Sequence, residues 1–152
     1  MYKLTLAQFN EDKIEEQVLK SASSLDILKK FDCIDWPKQI EWSFQESNQG
    51  EFLFFEIEEV ATERKIGGLF MVYSRHEYNF HAHAELFQKQ QKFHFFGLFK
   101  SQSLPSFDND ALPFEEFRAC LELFLKGNDL VIEKTLAQEY PHYENIGIFD
   151  KT

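Results

Sequence analysis

The spacing of apolar residues along this chain changes period twice. Tyr2, Leu4 and Leu6 alternate with Lys3 and Thr5, which predicts a short leading strand. Ile14, Val18, Ala22, Leu25 and Leu28 then recur at intervals of four, four, three and three, the stripe of an amphipathic helix. Asn10 suits the N-cap of that helix, and Glu11 and Asp12 suit the positive end of its dipole. The run Ser21-Ala22-Ser23-Ser24 offers a break into two helices, with Ser24 capping the second, and Pro37 closes the region.

From Gln39 the period is two. Ile40, Trp42 and Phe44 alternate with Glu41, Ser43 and Gln45, as in a half-buried strand. Turn chemistry follows at 47–50 (SNQG), then a returning strand at 51–60, a second turn at 61–65 and a third strand at 66–74. The pair Gly67–Gly68 inside that third strand marks a bulge or a close approach of backbone. Segments 78–87 and 92–99, joined at QKQQ, complete an antiparallel meander of about five strands.

The helical period then returns. Residues 103–113 (SLPSFDNDALP) read as a loop, and Pro113 stands at the first helical position. Phe114, Phe117, Leu121, Phe124 and Leu125 form a buried stripe that Gly127 ends, and a further helix runs from Asp129 to about Gln138, ended by Pro141. No repeat, linker or low-complexity tract interrupts the chain. The expectation is a single domain, 1–152, of the α+β class, with N-terminal and C-terminal helices packed on one face of the meander.

Composition adds to this picture. Eighteen of the 152 residues are Phe, so the core is expected to be large and aromatic. The formal net charge is −10, the opposite of what phosphate neutralisation requires, so nucleic acid is excluded as a partner and an anionic membrane surface would repel the chain. A basic protein surface would be attracted and its encounter accelerated. Cys33 and Cys120 belong to no Cys-x-x-Cys pair, and no disulfide framework is visible. The N-terminus lacks a signal-peptide pattern, and the longest apolar run, GGLFMVY, is too short to span a bilayer, so a cytoplasmic protein with reduced thiols is expected.

Candidate chemistry concentrates in 78–99. A hairpin centred on Lys89–Gln90 would pair Glu85 with His94 and His83 with Phe96. Asn79, His81, His83, Glu85 and His94 would then share one face. Imidazoles with a carboxylate are plausible Zn²⁺ or Fe²⁺ ligands, and a metal-dependent enzyme using His81, His83 and His94 is one reading. The His-x-His spacing resembles a cupin metal motif. However, Glu85 follows directly at period two, and the glycine framework of that motif is missing. Alternating polar residues on the wet face of a hairpin account for the same pattern without chemistry. No nucleophile elbow or phosphate-binding loop is present, so a non-catalytic protein without cofactor or metal is expected.

Two stretches concentrate acid. Residues 107–117 carry Asp108, Asp110, Glu115 and Glu116 with no base among them, beside Phe107; residues 54–60 carry Glu56, Glu58 and Glu59. First-turn acids stabilise a helix, and solvent-facing glutamates protect a sheet edge, so both stretches also have purely structural explanations. In its small size, acidic charge, α+β pattern and lack of catalytic motifs, the chain resembles the immunity proteins of bacterial contact-dependent inhibition and polymorphic-toxin systems. That resemblance implies a cytosolic inhibitor that binds a cognate, basic toxin domain and blocks its active site. Its carboxylates would stand in for substrate phosphates, with Phe107 or Tyr78 as aromatic anchor. Class I type III secretion chaperones are similar in size, charge and class, but usually set a helix between their third and fourth strands, where this chain has only SRHEYNF.

Overall fold

The computed structural model describes residues 1–87 and 104–143. Six strands, β1 (Tyr2–Asn10), β2 (Lys13–Ala22), β3 (Leu53–Glu59), β4 (Lys65–Val72), β5 (Tyr78–Glu85) and β6 (Ser106–Leu112), form one sheet in the order β2-β1-β3-β4-β5-β6. Every neighbouring pair is antiparallel. Four helices accompany it: α1 (Ser24–Asp32), α2 (Trp36–Ser43), α3 (Phe114–Leu125) and α4 (Asp129–Leu136). The class is α+β, as expected. The sheet is not a simple meander, because β1 lies between β2 and β3 and the chain passes through α1 and α2 to reach β3.

One face of the sheet is the core. Leu4, Ile57, Ile66 and Ala84 lie in one cross-strand row, and Leu6, Phe55, Gly68 and Ala82 in the next. Leu53, Phe70, Phe80 and Leu112 make a third. Helices bury Ile27, Phe31, Phe117, Leu121, Phe124, Ile132 and Leu136 in the same cluster. The Phe117 ring stacks on that of Phe80 at 3.9 Å and 12°, and Phe31 meets Phe55 edge-on at 5.1 Å. Gly68 makes the stack possible: a Cβ there would lie 3.0 Å from Cε2 of Phe117 and 3.1 Å from the carbonyl oxygen of His81. Gly67 and Gly68 are thus sites of close approach, and the register through them is unbroken.

Three expectations are corrected. Residues 13–22 are the edge strand β2, not a helix; Glu11, at φ 58°, and Asp12 make the two-residue turn that pairs Asn10 with Lys13. The helix begins after Ser23, which caps it in a reciprocal box with Asp26, so the cap is one residue before Ser24. Ile27 and Phe31 are its buried positions, whereas Leu25 is exposed. Residues 36–43 are helix α2 rather than a strand. Pro37 lies in its first turn, where a missing N–H costs nothing, and Asp35 accepts from the Lys38 N–H. The buried Gln39 amide of α2 then bonds both backbone groups of Phe9, at 2.8 Å and 3.0 Å.

The third correction concerns 103–113, where β6 replaces the expected loop. Asn109 interrupts its apolar alternation, and the Asn109 Nδ2 donates to the Leu136 and Gln138 carbonyls at the end of α4, at 2.9 Å and 2.8 Å. β6 also takes the place expected of 92–99: β5 is paired by β4 on one side and β6 on the other. His83 therefore lies opposite Gly67 and Asp108, not Phe96, and Glu85 lies opposite Lys65 and Ser106, not His94. Residues 92–99, His94 included, lie outside the described residues. The helices 114–125 and 129–136, and the strands at 53–59, 65–72 and 78–85, match their expected positions closely.

Candidate functional site: the acidic face of the sheet

Strand alternation sends one set of side chains to the helices and the other to the opposite face, which no described helix covers, although Asn79 at one end of it is buried and Tyr143 meets Tyr73 at 5.6 Å. Across that face runs a row of Thr5, Glu56, Gly67, His83 and Asp108. Beside it runs Lys3, Glu58, Lys65, Glu85 and Ser106. The second row alternates in charge, and Lys3–Glu58 and Lys65–Glu85 approach to 3.6 Å and 3.8 Å. On the far side of the first row, Phe54, Leu69 and His81 stand in register, with Met71 beyond them. Charged rows thus border a half-buried apolar strip.

Glu56 is the distinctive group. It is half-buried, and it has no hydrogen bond or ion pair among the described residues. Burial raises its pKa above the ordinary glutamate value, against the opposing pull of Lys65 and Lys3, which are committed to Glu85 and Glu58. Gly67 beside it presents no side chain, and a Cβ there would meet Cβ of Glu56 at 2.9 Å. Gly67 thus separates Glu56 from His83 in the row, with the β3 backbone packed close against it.

His83 stands on the far side of Gly67. Its Nδ1 lies 2.6 Å from Oδ1 of Asp108, and its Nε2 lies 3.4 Å from Oε1 of Glu85. Burial alone would depress the His83 pKa; the hydrogen bonds to Asp108 and Glu85 outweigh it and raise the imidazole above its ordinary value. His83 therefore ties β5 to the edge strand β6, and both contacts favour the protonated imidazole. Among the described residues no group of three or more His, Cys, Asp or Glu side chains is placed to hold a metal ion.

The expected acidic residues separate in space. Asp108 and Asp110 lie on the open face, with Glu56 and Glu58 on the same face. Glu115 and Glu116 sit in the first turn of α3, in the helical layer across the sheet. Glu59 is occupied structurally: it accepts from Thr62 Oγ1 and, at 2.9 Å, from Arg64 Nη1. Arg64, only 6% exposed, also pairs with Asp129 and lies 4.4 Å over the Phe124 ring, so it clamps the β3–β4 turn to α4. Phe107 and Tyr78 both turn into the core layer, so neither supplies an aromatic anchor on the acidic face. The apolar contribution there comes from Phe54, Leu69 and Met71. Alternation within 53–59 and 65–72 already encodes that placement.

A separate cleft of about 390 Å³ opens between the β1–β2 end of the sheet and the two N-terminal helices, with Lys30, Cys33, Asp35, Lys38 and Trp42 around it. Its floor is closed by Gln39, whose amide is spent on Phe9. No family model, curated protein or solved structure matches the chain. Among the described residues no helix is long and apolar enough to cross a membrane.

Proposed function

We propose that this chain is a non-catalytic, cytosolic binding protein of the toxin-immunity kind, and that it engages a basic protein surface through the open face of its sheet. The observation that carries this reading is Glu56, a half-buried carboxylate on an acidic face, without an ion pair among the described residues. Such a group is costly in the free protein, and a guanidinium or ammonium from a partner relieves that cost. Glu58, Glu85, Asp108 and Asp110 lie on the same face, while Phe54, Leu69 and Met71 supply area that becomes dry on docking. A basic nuclease-like toxin domain, whose active site is built to hold phosphate, has the complementary charge. The interface proposed is the sheet face, in place of the continuous stretch 107–117.

The test is co-expression with the adjacent gene product, read as survival and as association rate. Asp108→Lys with Asp110→Lys puts like charges against the partner, a cost of several kcal/mol. At about 1.4 kcal/mol per tenfold, binding falls by orders of magnitude while the fold survives. Glu115→Lys with Glu116→Lys, across the sheet, leaves binding nearly unchanged. Glu56→Gln weakens binding yet raises the urea midpoint at neutral pH, because it removes a charge that folding desolvates. Full protection by the Asp108/Asp110 variant, or undiminished binding by Glu56→Gln, would sink this assignment.

A further inference from the structure

The two edges of the sheet are unlike. β6 is short, bulged opposite His81 and carries Asp108 and Asp110, devices that discourage pairing. β2 is ten residues long and contributes no fully buried residue to the core. Glu16 through Ser21 are exposed on both faces of the strand, with Val18 at 42% and Leu19 at 39%. Glu16 and Lys20 have no partner among the described residues, although Glu15 beside them is bonded to Asn10 and Lys13. An ordered strand, wet on both sides, with apolar side chains and a backbone edge that no described strand pairs, is built for another strand.

We infer that the occupant of the β2 edge is β2 of a second copy of this chain, paired antiparallel about a two-fold axis at Val18. A two-fold axis perpendicular to the sheet keeps each face on its own side, so opposed residues must both be even-numbered or both odd-numbered. Five centres are then available in the exposed run before its bulge. Centring on Glu16 or on Lys20 sets that charge against itself. Centring on Gln17 sets Glu16 against Val18 and Glu15 against Leu19, and centring on Leu19 sets Lys20 against Val18. Centring on Val18 alone places Val18 against Val18 and Glu16 against Lys20, twice by symmetry. Opposite charges directly across a ladder stabilise it and like charges destabilise it, so charge selects one register. The bulge at Ser21, at φ 65°, ends the run just after Lys20 and turns the chain into α1. The contact is short, so the dimer belongs to the weak class that forms in the micromolar range. It makes a continuous sheet whose acidic face spans both subunits.

Sedimentation velocity from low to several hundred micromolar tests this on the full chain. The wild type shifts from monomer to dimer across that range. Glu16→Lys sets a lysine against Lys20 of the other copy, and Lys20→Glu sets a glutamate against Glu16, so each variant alone loses association by about tenfold or more. An equimolar mixture of the two variants restores a lysine opposite every glutamate and sediments as a dimer. Both sites are exposed, so far-UV circular dichroism and melting temperature stay at wild-type values. A wild type that remains monomeric throughout would overturn the inference. Single variants that still dimerise, or a mixture that does not recover, would overturn it as well.

Discussion

Phe117 offers the most direct test of how the helical layer meets the sheet. Its side chain is fully buried, stacked on Phe80 at 3.9 Å and seated over Gly68. Truncation of a buried Phe to Ala removes its transfer energy and leaves a cavity, together about 3–5 kcal/mol. A domain of this size has about 5–15 kcal/mol in total, so the loss is a large share. With a urea slope of about 2 kcal/mol/M, a loss of about 4 kcal/mol lowers the midpoint by about 2 M. Gly68→Ala attacks the same contact from the other side. Its Cβ would meet Phe117 Cε2 at 3.0 Å, the His81 carbonyl at 3.1 Å and Phe80 Cδ1 at 3.1 Å. Overpacking of this kind costs about 1–3 kcal/mol. In the Phe117→Ala background one of those three clashes disappears, so the double variant is less destabilised than the sum of the singles. Coupling between touching residues is about 0.5–3 kcal/mol. The assay is urea unfolding of the four proteins by fluorescence. A wild-type midpoint for Phe117→Ala, or strict additivity in the cycle, would show that α3 does not sit on Gly68.

The remaining predictions are shorter. Arg64→Ala leaves Asp129 and Glu59 without their cation and costs about 3–5 kcal/mol, read as a fall in melting temperature; a change within experimental scatter would refute the clamp. Burial pushes the Cys120 thiol up to about 12, whereas Cys33 is exposed, so a thiol-specific reagent modifies Cys33 in the native state and reaches Cys120 only on unfolding. Rapid labelling of both would contradict the packing of α3. For His83 the folded pKa is raised, so its stabilising tie to Asp108 is complete below the unfolded value of about 6.5 and is lost as pH rises through the folded value. The gap in urea midpoint between wild type and His83→Gln is therefore widest below about pH 6.5 and narrows as pH rises through the folded value. An imidazole that titrates by NMR at or below its ordinary value would refute the tie.

The misread segments share a physical reason. Ile14, Val18 and Ala22 are four apart, and four is a multiple of two as well as nearly one helical turn. The same positions therefore line one side of a strand. What decides between them is whether β1 is present to pair with, and that lies outside the segment. Ile40, Trp42 and Phe44 alternate as a strand would, but Asp35 and Pro37 start a helix before them, and the buried Gln39 finds its partners on Phe9, 30 residues earlier in the chain. In β6 the inward-facing Asn109 is polar only because the end of α4 supplies the carbonyls that satisfy it.

The sequence by itself determined the α+β class, the Phe-rich core, the strands at 53–59, 65–72 and 78–85 and both C-terminal helices, because each of these carries one unambiguous period and its own stop signals. It also determined that Glu56 and Glu58 share a face, since alternation needs nothing but a strand. Only the tertiary structure decided which acids share a surface. Asp108 and Glu115 are seven residues apart, yet the chain leaves the sheet between them and crosses to the helical layer. Glu56 and Asp108 are distant in the chain, yet they stand in one row because β3, β4, β5 and β6 hold adjacent places in the sheet. Charge along a chain is a local property. Charge on a surface is set by the order in which strands pair.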